Sequence, residues 1–153
     1  VRIEMPGRWE AFRDAAMPAL NLRYLTAIIL LDGRLDFVSA QSLERMAEDA
    51  KVRALMDRVE IAHDPAQEAG PGEPRTESAR VSVRLADGGE ESAYTPHVLG
   101  FPSHPMSAAD VEAKALELMA PCLGEDRARA VIAAVCDIEE MSEARSRIAL
   151  IAR

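Results

Sequence analysis

Apolar residues recur at Leu20, Tyr24, Ala27, Ile28 and Leu31, the spacing of one helical face, while Leu22, Leu25, Ile29 and Leu30 cover much of the remaining circumference. The pattern predicts a helix over about 20–32 that is covered on nearly all sides. Asp32-Gly33 follows, and a glycine just past the last turn takes the left-handed conformation that stops a helix. Tyr24 brings a polar tip into this apolar setting, and a buried phenol needs a hydrogen-bond partner, from protein or ligand.

The rest of the chain alternates between the two periods. Arg2-Ile3-Glu4-Met5 reads as a short strand before Pro6-Gly7. Leu43, Met46, Ala47, Ala50, Ala54 and Leu55 give a helical pattern from Ser39 to about Asp57, broken near 49–51 into two short helices. Val59, Ile61 and His63 alternate as a strand that Asp64-Pro65 closes. From Ala66 to Ser78 there is no apolar period, and Gly70-Pro71-Gly72 and Pro74 predict a loop. Val81, Val83 and Leu85, then Asp87-Gly88-Gly89, then the run to Val98 predict a β-hairpin with one buried face, the end of its second strand placed at an edge or a bulge by Pro96. Gly100 to Pro105 forms a rigid connector. Ser107-Ala108-Ala109-Asp110 resembles a capping box opening a helix over about 107–120, with Val111, Ala115, Leu118 and Cys122 along one face. Pro121 and Gly124 then separate it from a helix with Ala128, Val131, Ile132 and Val135 inward, and Ser142 caps a last helix bearing Ile148 and Ile151. Helices at both ends and a central hairpin predict an α+β two-layer sandwich, one small antiparallel or mixed sheet covered by helices. No repeat is present, and 153 residues with 48% hydrophobic content suit a single domain over 1–153.

Charge narrows the partners. A net charge of −8 with no long basic cluster argues against a nucleic-acid groove or an anionic membrane surface. No apolar run reaches the roughly 18 residues of a membrane span, and no signal peptide opens the chain, so a cytoplasmic location is expected. Eighteen basic residues include only Lys51 and Lys114 as lysines, so the positive charge is nearly all guanidinium, suited to bidentate carboxylate binding or to solvated helix faces. Cys122 and Cys136 are read as reduced packing residues. With no CxxC pair or paired-His helix, neither a metal nor a cofactor is expected. A chain opening on Val1 rather than Met is expected to be a fragment, a processed chain or a trimmed chain.

Candidate chemistry is sparse. His63, His97 and His104 titrate near neutrality but sit in no recognisable constellation. No nucleophile elbow, P-loop or dinucleotide fingerprint occurs, and Glu90-Glu91 and Glu139-Glu140 read as solvated pairs. Tyr24 is the best single candidate, beside the alternative of a core tyrosine with a satisfied hydroxyl.

Motif order supplies more. Leu22-Arg23-Tyr24-Leu25-Thr26-Ala27 with Leu31-Asp32-Gly33, Val59-Glu60-Ile61 with Asp64, and Val81-Ser82-Val83 with Asp87-Gly88 are followed by Gly100-x-Pro102, Pro105-Met106-Ser107, Lys114 and Ala120-Pro121-x-Leu123-Gly124. Together they resemble the C-terminal domain of the MmgE/PrpD family, which includes 2-methylcitrate dehydratases, cis-aconitate decarboxylases and iminodisuccinate epimerases. The resemblance implies a two-domain enzyme in which this α+β domain closes the cleft against an all-helical N-terminal domain, absent here, that supplies most of the catalytic His, Lys and Asp side chains. It implies a small di- or tricarboxylate substrate, a homodimer as the full-length protein, and Tyr24 as the catalytic residue carried by this domain. Arg23 stands where the family often has Gln or another polar residue, and is a candidate substrate carboxylate ligand. His104 stands where the family commonly has Asn. The leading expectation is a lyase or isomerase domain inactive alone; the alternative is a standalone non-enzymatic domain binding a small acid or a protein. A domain cut from a larger enzyme should expose an apolar patch, whereas a standalone module should be polar there.

Overall fold

Arg2–Met5 (β1) pairs in parallel with Glu60–His63 (β2), placing Ile3 opposite Ile61, and antiparallel with Ala79–Arg84 (β3), placing Ile3 opposite Val81. Glu90–Thr95 (β4) adds antiparallel to β3, with Val81 opposite Ala93. The resulting four-stranded mixed sheet has the order β2-β1-β3-β4, so β2 and β4 are its edges. The computed structural model describes residues 1–73 and 77–140, which fall into two compact units that part between His104 and Pro105. The architecture is α+β, as the sequence predicts, and the sheet belongs to the first unit.

Strand alternation sorts this sheet into two faces. Ile3, Met5, Val59 and Ile61 are buried on one, where Trp9, Phe12, Leu22 and Val81 pack against them. The other face is polar, and Arg2 there pairs with Glu4 at 3.1 Å and Glu60 at 3.0 Å. The hairpin forms, but its expected buried face does not extend across it: every residue of β4 is exposed and β3 is only partly covered. Trp9, Phe12 and Leu22 lie over the strands that carry Ile3, Met5, Val59 and Ile61, and β4 lies at the far edge.

Helices Glu10–Arg13 (α1), Leu22–Asp32 (α2), Phe37–Ala40 (α3), Leu43–Glu48 (α4) and Ala50–Met56 (α5) connect β1 to β2. Asn21 caps α2 by accepting the Tyr24 N–H at 3.0 Å, and Gly33 at φ 72° ends it as expected. The helix is covered on one side only. Tyr24, Ala27 and Ile28 pack with Val52 of α5 in a second core, while Ile29, Leu30 and Leu31 are 39–47% exposed. Leu20 is also exposed, because Pro18–Leu20 forms a 3₁₀ turn ahead of α2. The break between α4 and α5 falls at Asp49, whose carboxylate accepts the N–H groups of Lys51 and Val52 and so starts the second helix.

Two residues of the expected loop, Gln67 and Ser78, are buried. Gln67 donates to the Glu4 carbonyl at 3.0 Å and to Asp64 at 2.9 Å, and accepts from the Ser78 hydroxyl at 2.9 Å. These bonds tie the stretch after β2 and the residue before β3 to β1.

In the second unit, Ala108–Leu123 (α6) opens with the Ser107–Asp110 capping box and packs on Glu125–Cys136 (α7). Pro121 does not end α6 as expected; the helix runs through it to Leu123, and Gly124 at φ 81° makes the break. Pro121 lies on the exposed last turn, where the N–H it lacks removes one i→i−4 bond without ending the helix. On α7, Ala128 is buried and Val131 and Ile132 are half-buried, as expected, but Val135 is exposed and Ala134 beside it is buried instead. Cys122 and Cys136 are free thiols, exposed rather than packed. The expected helix with Ile148 and Ile151 lies outside the described residues.

Candidate functional site

Tyr24 is fully buried, and its hydroxyl donates to the Ser39 carbonyl at 2.7 Å. That bond fastens the single-turn α3 to the side of α2. Burial pushes the phenol above its ordinary range, opposed by the charge of Arg45, so at neutral pH Tyr24 is a donor and not a base. Arg45 itself clamps Asp32 through both terminal guanidinium nitrogens, at 2.5 and 2.7 Å, and its Nε lies 3.8 Å from Asp49. This bidentate pair fixes the C-terminal turn of α2 against α4.

Arg23 points elsewhere. Its Nε donates to the Met56 carbonyl at the end of α5 at 2.8 Å, and its terminal nitrogens lie 3.5 Å from Asp14 and Asp57. The structure therefore gives Tyr24 and Arg23 separate partners and does not bring them together on one hydrogen-bonded group. Arg23 lines a groove of about 590 Å³ with Trp9, Arg13, Asp57, Arg58 and residues 59–63. Arg13 stacks over Trp9 at 5.2 Å and pairs with Asp14 at 2.5 Å. His63, also on this groove, bonds Glu68 at 2.7 Å, and the same Glu68 oxygen accepts the Gly7 N–H at 2.7 Å.

His104 bonds the His97 carbonyl at 3.2 Å, and neither joins the groove. Among the described residues no group of three or more His, Cys, Asp or Glu is placed to hold a metal ion, and no helix is long and apolar enough to cross a membrane. Sequence reasoning picked Arg23 but missed Arg13 and Arg58 beside it. Their only signal was the arginine-rich composition, since nothing in the spacing of residues 13, 23 and 58 shows that they converge.

Four carboxylates in the first unit carry a pH dependence. Arg13 lowers Asp14, Arg45 lowers Asp32 and the Ser39 N–H lowers Asp36, each below its usual range. Asp64 is lowered first by the Gln67 side chain and then by the Ala66 N–H. A carboxyl whose folded pKa is depressed stabilises the fold above its unfolded pKa and loses that contribution as pH falls through the folded value. Thermal unfolding temperatures should thus hold steady from neutral pH to about 5 as far as these groups are concerned, and fall below about pH 4. Asp32→Asn should flatten that acid limb; an unchanged slope would remove Asp32 from the account.

A search of curated proteins finds no match to the chain. The MmgE/PrpD C-terminal domain matches residues 7–140, a span that contains α2 with Tyr24 and Arg23, the groove-lining residues and the α6–α7 pair. With the match covering most of its length, the chain belongs to the MmgE/PrpD family as a C-terminal domain.

Proposed function

We propose that this domain closes over the cleft of an enzyme acting on small di- or tricarboxylates. In this reading a base removes a proton beside a carboxylate; a hydroxyl or carboxyl group then leaves, or a proton returns on the opposite face. The observation that carries it is the family match over residues 7–140. The exposure of Ile29, Leu30, Leu31, Phe37, Val38 and Leu43, all between 39 and 63%, supports a domain whose α2–α4 region meets another body, over one that stands alone.

Tyr24 is the proposed hydrogen-bond donor to a substrate carboxylate, or the acid that protonates a leaving oxygen or carbanion. Its raised pKa suits a donor, and the role requires the Ser39 carbonyl to give up the hydroxyl when substrate binds. Arg23 is the proposed carboxylate ligand, because its 3.5 Å contacts to Asp14 and Asp57 are long enough to be exchanged for a bidentate pair. The chain alone is expected to show no turnover.

In the complete enzyme, Tyr24→Phe should lower kcat by roughly 100-fold, the low end of what one positioned proton donor contributes. Unchanged kcat and KM would reduce the phenol to a structural brace. Arg23→Gln should raise KM about tenfold with kcat little altered, the loss of one charge-assisted contact.

A further inference from the structure

The free edge of β2 faces the arginine-lined groove. Glu60 donates its N–H to the Val1 carbonyl at 2.9 Å and Asp64 donates to the Met5 carbonyl at 3.0 Å, so residues 60, 62 and 64 turn their backbone groups toward β1. By alternation, the N–H and C=O groups of Ile61 and His63 point away from the sheet, and among the described residues no strand pairs with them there. Residues 59–63 line the groove consecutively, members of both sheet faces, so the groove runs along the strand edge and not over one face.

We propose that this groove accepts an extended acidic peptide segment as a fifth strand beside β2. The edge offers donors and acceptors in alternation. A bare carboxylate would meet the Ile61 and His63 carbonyls as well as their N–H groups, whereas a peptide backbone satisfies both. Side-chain charge selects the segment: Arg13, Arg23 and Arg58 line the groove against Asp57 and Glu60, on a chain of net charge −8. Arg13, Arg23 and His63 already have carboxylate partners, while Arg58 is exposed and makes no side-chain hydrogen bond or ion pair among the described residues. Arg58 is therefore the cation that an acidic side chain of the added strand engages. A second copy of this chain fits less well, because the antiparallel register that joins Ile61 to His63 of a second copy sets Glu60 against Asp64.

Trp9 lies in the groove and is the chain's one tryptophan, so its fluorescence reports occupancy. The full chain is titrated with a capped heptapeptide alternating valine and glutamate, with its valine–lysine counterpart, and with a copy N-methylated at alternate amides. The expected result is saturable binding of the glutamate peptide alone, weakened roughly tenfold by Arg58→Glu and unaffected by Arg129→Glu on α7. Amide signals of Ile61 and His63 should shift on binding. The proposal is overturned if the peptide does not saturate, if N-methylation changes nothing, if free propane-1,2,3-tricarboxylate binds as well as the peptide, or if sedimentation shows the chain paired with itself and refusing the peptide. Strand addition is read on Arg58 and turnover on Tyr24, so failure of this inference and failure of the catalytic reading are told apart.

Discussion

Ile28→Ala should destabilise the first unit by about 2–5 kcal/mol, while Leu30→Ala, two residues along the same helix, should change it by less than about 0.5 kcal/mol. Ile28 is fully buried beside Tyr24, Ala27 and Val52, a small cluster in which a lost side chain leaves a cavity that few neighbours can fill. Leu30 is 47% exposed. Urea unfolding followed by far-UV circular dichroism measures both, and equal losses at the two positions would mean that α2 is covered on both sides. In a complete enzyme the contrast should narrow, because a body seated on the exposed side of α2 would bury Leu30 as well.

Gln67→Ala is the second large effect, expected at about 2–3 kcal/mol, because it takes a partner from the buried Ser78 hydroxyl and from the carbonyl of half-buried Glu4 at once. Ser78, only 3% exposed, would lose the acceptor for its hydroxyl, and the Glu4 carbonyl would lose the Gln67 amide. Ser78→Ala, which removes the hydroxyl together with its need for an acceptor, should cost less. The same Gln67 substitution should let the Asp64 carboxyl rise toward its ordinary range, since the Gln67 amide is the main group holding it down. A carboxyl titration by NMR reads this directly. A stability change under about 0.5 kcal/mol together with an unmoved Asp64 would show that the network is replaced by water.

Local chemistry explains what the sequence made legible. Gly33 ends α2, Ser107 and Asp110 open α6, and Asp49 divides α4 from α5, each through bonds or dihedrals confined to a few neighbouring residues. Such features follow from side-chain type and spacing alone. Alternation likewise marked the strands, because period 2 is a property of the strand itself. The family assignment was legible for a similar reason: its motifs sit at these turns and caps in a fixed order, and the match over residues 7–140 agrees with them.

Burial was harder to read, because it depends on what lies opposite. An apolar helix such as α2 has the same pattern whether one side or both are covered; only its packing on α5 shows that Tyr24, Ala27 and Ile28 face inward while Ile29 and Leu30 do not. Gln67 and Ser78 carry no apolar period, so their burial could come only from a tertiary network that supplies every hydrogen bond they need.

The chain's own sequence determined the stop of α2 at Gly33, the opening of α6 at Ser107, the break between α4 and α5, the α+β class and the family, because these rest on contacts among near neighbours and on motif order. Tertiary structure alone decided the strand order β2-β1-β3-β4, the attachment of the Tyr24 hydroxyl to Ser39, and the convergence of Arg13, Arg23 and Arg58 on the free edge of β2. Those depend on which distant segments share a surface, and long-range packing, not local spacing, brings residue 13 to residue 58.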